Sequence, residues 1–218
     1  MKTSWFFGDS FTHGDGCLPT FDFYEKYPSE RNKIWTTLVS ENLNTKEKNF
    51  GVGGNSNPYI LKQVLENLPK FKKGDYVFIG STYSYRIVYP NKKENKIDTL
   101  IFDSVVFDKP LAAPYKKLYL DEFVPDIDER GLIVDFIAAS TFDSEKMWDS
   151  YYKTQYKGIV SLLNKIGINA YLWSHKLHRN YESITESTNK DIIDNHWRWN
   201  GHQTFSNYII DKIQNKLI

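Results

Sequence analysis

Cysteine is nearly absent from the sequence: Cys17 is the only one among 218 residues. A single thiol cannot form a disulfide within the chain, and zinc motifs built on paired cysteines are excluded. Long apolar runs are absent too, because no stretch approaches the about 20 apolar residues that cross a membrane. The apolar run at 5–8 is too short for the core of a signal peptide. We therefore expect a cytoplasmic protein that does not bind membranes.

Neither sign of charge prevails, since 28 basic and 27 acidic side chains leave a net charge of +1. Without a positive field to attract phosphates, nucleic acid is not an expected partner. His13, His175 and His178, taken with Asp15, match no zinc spacing, so we predict neither a metal nor a cofactor. Aromatic side chains are abundant, at 16%. They fill protein cores, and they also line surfaces that bind sugars.

The order of apolar segments predicts the fold class. Short continuous apolar runs indicate strands, and apolar residues at helical spacing indicate helices. Strands are expected at 4–8, 49–52, 75–79 and 168–173, and helices at 34–43, 58–68, 143–166 and 201–217. Strands that alternate with helices predict an α/β fold with a parallel sheet. The pattern lapses from about 87 to 140. We expect one domain, 1–218, with an insertion there that serves as a lid or a protein-partner surface.

The sequence Gly8-Asp9-Ser10 directly follows the first predicted strand. Sites in α/β sheets are built at the carboxyl ends of strands, so the Ser10 hydroxyl is expected at the functional edge. A serine nucleophile also needs a base, a group that orients the base, and donors for the oxyanion. The alternative is that Ser10 only caps the helix that follows. For Asp9 we expect hydrogen bonds that hold the turn.

A histidine and an acid stand directly before the last predicted helix, in Asp194-Asn195-His196, and Gly201-His202 follows. The G-D-S after the first strand and this D-x-H before the last helix together resemble the SGNH, or GDSL, hydrolase family. The resemblance implies a three-layer, flavodoxin-like fold with four or five parallel strands between helices. The alternative is that His196 is a structural histidine, and for His202 no chemical part is expected.

The resemblance assigns roles to individual residues. It implies a triad of Ser10, His196 and Asp194, with the backbone N–H of Ser10 as one oxyanion donor. The second donor corresponds to the N–H of Gly54, with Gly53 as the near competitor, because only glycine lets the backbone come so close to a ligand.

Two motifs depart from the family pattern. The third block normally reads G-x-N-D, and here Thr82 stands at the position of the asparagine. Thr82 is therefore a candidate third oxyanion donor, and Asn55 is the second candidate. The last block is usually D-x-x-H, whereas Asp194 and His196 are spaced D-x-H.

Four aromatic residues fall beside the proposed site: Trp197 and Trp199 near the base, and Tyr83 and Tyr85 after the third block. Aromatic faces stack on the apolar faces of sugar rings, so these residues are candidate substrate contacts. Trp197 has an alternative part as a wedge that holds its loop.

The function expected from the resemblance is that of a serine esterase. It would remove a short acyl group, for which acetyl is the first candidate, from a carbohydrate through an acyl-enzyme. One alternative is a weakly active or non-catalytic binding module, such as a phage particle component, which would place the protein in a virion. Another is a carbohydrate O-acyltransferase, in which an alcohol replaces water as the acyl acceptor.

Overall fold

The computed structural model describes residues 1–14, 34–82, 86–91, 96–101, 145–174 and 199–215. Within them run six strands: β1 Thr3–Phe7, β2 Lys46–Asn49, β3 Tyr76–Ser81, β4 Arg86–Asn91, β5 Lys96–Ile101 and β6 Asn169–Ser174. The helices are α1 Ser10–His13, α2 Trp35–Asn42, α3 Asn57–Asn67, α4 Glu145–Lys165 and α5 Trp199–Gln214. A 3-10 turn, Leu68–Lys70, follows α3.

The central sheet has four strands in the order β2-β1-β3-β6, and all its neighbours are parallel. In β1 and β3 the apolar run is unbroken, and Phe6 lies beside Phe78 while Phe7 lies beside Ile79. Continuous apolar strands are typical of parallel sheets, because helices cover both faces. The predicted α/β fold with a parallel sheet is confirmed.

Helices lie on both faces of the sheet and bury two separate cores. Helices α3 and α4 cover one face, and Trp5, Phe7, Val77 and Ile79 point into that core. Helices α2 and α5 cover the other face, where Phe6 and Phe78 stack with ring centroids 4.8 Å apart. The result is a three-layer arrangement, as expected.

The prediction for β2 was wrong in position: the strand is Lys46–Asn49, not 49–52. Its side chains carry charge instead of an apolar pattern, so periodicity could not find it. It lies at one edge of the described sheet, where β1 is its neighbouring strand. Glu47 accepts hydrogen bonds from the hydroxyls of Thr36 and Thr37, and Lys48 Nζ lies 4.2 Å from the centroid of the Trp5 ring.

Strands β4 and β5 form an antiparallel pair apart from the central sheet, inside the expected insertion. The rest of that insertion, at 92–95 and 102–140, lies outside the described residues. Among the helices that the structure describes, none is long and apolar enough to cross a membrane.

A buried carboxylate ties the start of β3 to β1 at the end of the sheet away from Ser10. Asp75 is 3% exposed and accepts hydrogen bonds from the N–H of Thr3 (2.9 Å), the indole N–H of Trp5 (3.0 Å) and the N–H of Lys72 (3.1 Å). Asp75→Asn would turn an amide group toward one of these donors. We expect a loss of about 2–3 kcal/mol in the free energy of unfolding, the cost of an unsatisfied buried group.

Urea denaturation monitored by circular dichroism measures this loss. The matched control is Asp211→Asn, because Asp211 is exposed and its carboxylate accepts a hydrogen bond from the Asn215 side-chain amide, at 2.8 Å. It should change stability by less than about 0.5 kcal/mol. Equal shifts for the two variants would show that the Asp75 contacts do not hold the strands together.

Candidate active site

The turn after β1, residues 8–10, presents Ser10 at the carboxyl end of the strand; we call it the nucleophile turn. Ser10 is the first residue of α1 and is 3% exposed. Asp9 is the N-cap, and its Oδ1 accepts the N–H of Phe11 at 3.2 Å. The alternative that Ser10 caps the helix is therefore wrong, and the expectation that Asp9 holds the turn is confirmed. Within the described part of the chain, the Ser10 hydroxyl has no hydrogen-bond partner.

The segment after β2, residues 51–55, packs directly on the nucleophile turn; we call it the glycine loop. The carbonyl of Gly8 accepts hydrogen bonds from the Val52 N–H at 3.2 Å and from the Asn55 amide at 3.1 Å. At Gly51 a Cβ atom would lie 2.3 Å from the backbone nitrogen of His13. Only glycine permits this approach, so Gly51 sets how closely the loop lies against α1.

Neither of the two backbone N–H groups proposed for the oxyanion hole bonds to a described residue. Gly54 has a φ of +69°, in the left-handed region that favours glycine, whereas Gly53 is not among the glycines with positive φ. No described residue accepts a hydrogen bond from the N–H of Ser10 or of Gly54. This geometry is compatible with the sequence-based choice of Gly54 over Gly53.

The two side chains proposed as a third donor already donate inside the protein. The Thr82 hydroxyl, on a residue 1% exposed, donates to Asp9 Oδ2 at 2.7 Å. The Asn55 amide donates to the Gly8 carbonyl and to Gln63 Oε1, at 3.1 and 3.2 Å. Either side chain would have to change its partner before it could donate to an oxyanion.

Arg86 is the main feature of the site that sequence reasoning missed. Its Nη1 donates to Thr82 Oγ1 at 2.7 Å, to Asp9 Oδ2 at 3.1 Å and to the Asn55 carbonyl at 3.3 Å. The one signal in the sequence was an acid directly after a buried strand, because a buried carboxylate requires a partner. Nothing in the sequence pattern indicates which of the basic residues supplies it.

Asn57 anchors the segment that carries Thr82. Its side chain accepts the Thr82 N–H at 2.9 Å and donates to the Thr82 carbonyl at 2.8 Å. The amide thus bonds to both backbone groups of Thr82, as the backbone of a neighbouring strand does in a sheet. The Tyr156 hydroxyl of α4 donates to the Asn57 carbonyl at 2.8 Å. Burial raises the pKa of Tyr156 well above its usual range, which favours the protonated form that donates this hydrogen bond. Thr82 is thus fixed through both its backbone and its side chain.

The other predicted site residues have no described side chains. His196, Asp194, Trp197, Tyr83 and Tyr85 lie outside the described residues, and Trp199 is described only as the first backbone position of α5. The triad and the aromatic contacts therefore stay predictions.

His202 lies in α5 and is fully buried. Its Nδ1 accepts the backbone N–H of Trp35, the first residue of α2, at 3.3 Å. This bond ties the start of α2 to α5, which is a structural task.

A cleft of about 630 Å³ opens beside Thr82, between α4 and β6. Its lining includes Asn57, Tyr152, Lys157 and Leu172. The volume falls in the range of small-molecule sites, about 300–1,000 Å³. There is thus room for a ligand on the α4 side of Thr82.

No protein-family model and no curated protein matches the chain. Among solved structures, it is similar to a member of the lipolytic protein G-D-S-L family from Veillonella parvula, with 11% identity, 97% of each chain covered and a TM-score of 0.40. An acetylxylan esterase from Geobacillus stearothermophilus, in a catalytic mutant form, has 16% identity, with 97% of this chain and 94% of that chain covered and a TM-score of 0.41. A carbohydrate esterase has 13% identity, with 98% and 68% covered and a TM-score of 0.43. All three TM-scores are below 0.5.

Proposed function

We propose that the protein is a serine esterase of the SGNH, or GDSL, type. It removes a short acyl group, for which acetyl is the first candidate, from a carbohydrate. The observation that carries the proposal is the arrangement around Ser10. Its hydroxyl and N–H, together with the N–H of Gly54, are without partners among the described residues, at the carboxyl end of a central strand. A serine nucleophile needs a hydroxyl that a base can reach, and an oxyanion needs N–H groups that are not already bonded. The arrangement around Ser10 suits both roles.

In the proposed mechanism, Asp194 orients His196, and His196 takes the proton from the Ser10 hydroxyl as its oxygen attacks the ester carbonyl. The oxyanion accepts hydrogen bonds from the N–H groups of Ser10 and Gly54. The alcohol then leaves with a proton from His196. Water attacks the acyl-enzyme as His196 takes one of its protons. The bond between the acyl carbon and Ser10 Oγ then breaks, His196 returns the proton to Ser10, and the free acid departs.

The oxyanion hole in this proposal has two backbone donors. Loss of one donor from such a hole costs about 10²–10³ in turnover. With Thr82 and Asn55 engaged elsewhere, we expect slower turnover than in a site with a third donor. The same engagement favours a second candidate function, a binding module with little or no activity.

Acetate release tests the proposal. The purified protein is incubated with p-nitrophenyl acetate and with acetylated xylo-oligosaccharides, and free acetate is measured by an enzyme-coupled assay. Release that depends on the protein is the expected result. Acetyl groups that move to an added unacetylated glycan would identify an acyltransferase instead. No turnover by the folded protein on either substrate would favour the binding module.

Trp199→Ala tests the proposed sugar contact. An aromatic contact contributes about 0.5–1.5 kcal/mol beyond buried area, so KM for the acetylated glycan should rise about 2–10-fold. For p-nitrophenyl acetate, which has no sugar ring, KM should change less than about 2-fold. Steady-state kinetics on both substrates measures the difference, and equal effects would assign Trp199 to packing.

A further inference from the structure

Arg86 lies where three segments of the proposed active site meet. One nitrogen, Nη1, contacts Asp9 in the nucleophile turn, the Asn55 carbonyl in the glycine loop, and Thr82 after β3. In the sequence, Arg86 is 77 residues from Asp9 and 31 residues from Asn55. The guanidinium therefore joins segments that the chain keeps far apart.

Asp9, Thr82 and Arg86 bond to one another in a largely buried group. The Asp9 side chain is 2% exposed and the Arg86 side chain 12% exposed. The Thr82 hydroxyl accepts from Arg86 and donates to Asp9, each at 2.7 Å. Hydrogen bonds between ionised partners are among the strongest in proteins, and burial protects them from screening. Asp9 and Arg86 thus hold each other in one geometry.

This group connects to both proposed oxyanion donors. Asp9 uses its other oxygen, Oδ1, to cap the helix that begins at Ser10. Asn55, whose carbonyl accepts from Arg86, directly follows Gly54. We propose that Arg86 is a positioning residue that fixes the N–H groups of Ser10 and Gly54 relative to each other, an inference that rests on the proposed esterase function.

The proposal makes a specific kinetic prediction for Arg86→Met. The variant loosens the two N–H groups and leaves the Asp9 carboxylate beside the site without its counter-charge. Both changes disfavour the oxyanion, which exists only after the nucleophile attacks. We expect kcat for p-nitrophenyl acetate to fall about 10²-fold, the order of one lost oxyanion donor, while KM changes less than about 3-fold.

Two further variants sharpen the test. Arg86→Lys keeps the positive charge but not the planar group. Its kcat should be about a tenth of the wild-type kcat. Lys62→Met is the matched control, because Lys62 also pairs with a carboxylate, Glu66 at 2.7 Å, but on the exposed surface of α3. It should leave kcat and KM unchanged. Circular dichroism and thermal unfolding establish that each variant is folded.

We expect a large loss of kcat for Arg86→Met, a smaller loss for Arg86→Lys and no loss for Lys62→Met. A folded Arg86→Met protein with wild-type kcat would overturn the proposal, and so would a raised KM with unchanged kcat. If Arg86→Met does not fold, Thr82→Val is used instead. It removes the hydroxyl that donates to Asp9 and accepts from Arg86, and it removes no charge. It should lower kcat about 10-fold, and an unchanged kcat would overturn the proposal.

Hydrogen exchange followed by mass spectrometry separates this inference from the esterase proposal. If the wild type has no activity, the esterase proposal fails, and the positioning role is judged from amide exchange alone. Peptides that cover 9–14 and 50–56 should exchange faster in Arg86→Lys than in the wild type, while peptides from α5 do not change. Equal exchange at 9–14 and 50–56 would overturn the positioning role.

Discussion

Ser10→Ala is expected to lower ester hydrolysis by about 10⁴–10⁶-fold, the range seen when one residue of such a triad is removed. The nucleophilic oxygen is lost, and only the oxyanion donors and substrate binding remain. His196→Ala should cause a loss of the same order, and the double variant little more, because the two residues act as one unit. Rates with p-nitrophenyl acetate, measured on protein shown to be folded by circular dichroism, test this.

Ser40→Ala is the matched control for Ser10→Ala. Ser40 is also 3% exposed, and its hydroxyl has no hydrogen-bond partner among the described residues. It lies in α2, away from the carboxyl end of β1. Its replacement should leave turnover unchanged. Near wild-type rates for folded Ser10→Ala or His196→Ala would contradict the triad.

Gly51→Ala is expected to have the second largest effect, on both stability and activity. Its Cβ would stand 2.3 Å from the His13 nitrogen and 2.6 Å from the Thr12 carbonyl carbon, which are backbone atoms. Because neither can rotate away, the glycine loop and α1 must separate. We expect a loss of about 1–3 kcal/mol in the free energy of unfolding. A displacement of about 1 Å at the site can lower turnover about 10²-fold.

Gly158→Ala provides the control for Gly51→Ala. Gly158 lies inside α4, and a Cβ there would meet no atom within 4 Å. Alanine in an exposed helix should stabilise the protein by about 0.5–1 kcal/mol. Urea denaturation and turnover of p-nitrophenyl acetate are measured for both. If Gly51→Ala is as stable and active as Gly158→Ala, the close approach does not determine the site.

Strands buried on both faces could be predicted from the sequence, and the edge strand could not. Residues 76–79 form an unbroken apolar run because helices cover both sides of β3. Residues 46–49 are charged or amidic, and in β2 their partners come from elsewhere in the chain: β1 pairs with the backbone, and Thr36 and Thr37 bond to Glu47. No local pattern records such partners.

The same distinction holds at the candidate site. The nucleophile turn is contiguous in sequence, so a motif of three residues was sufficient to find Ser10. Arg86 and Asn57 act through partners 77 and 25 residues away. Their parts depend on the folded arrangement, in which Arg86 meets Asp9 and Asn57 pairs with the backbone of Thr82. The structure also shows that the Thr82 hydroxyl donates to Asp9, which the sequence could not indicate.

Covalent labelling by a fluorophosphonate tests the central claim, an activated nucleophile at Ser10, most directly. The probe reacts with a serine that a neighbouring base activates, and it requires no knowledge of the natural ester. Intact mass and peptide mapping should show one adduct, on Ser10, which disappears in Ser10→Ala and His196→Ala and persists in Ser40→Ala. Folded wild-type protein without an adduct, or with its adduct on another residue, would contradict the claim.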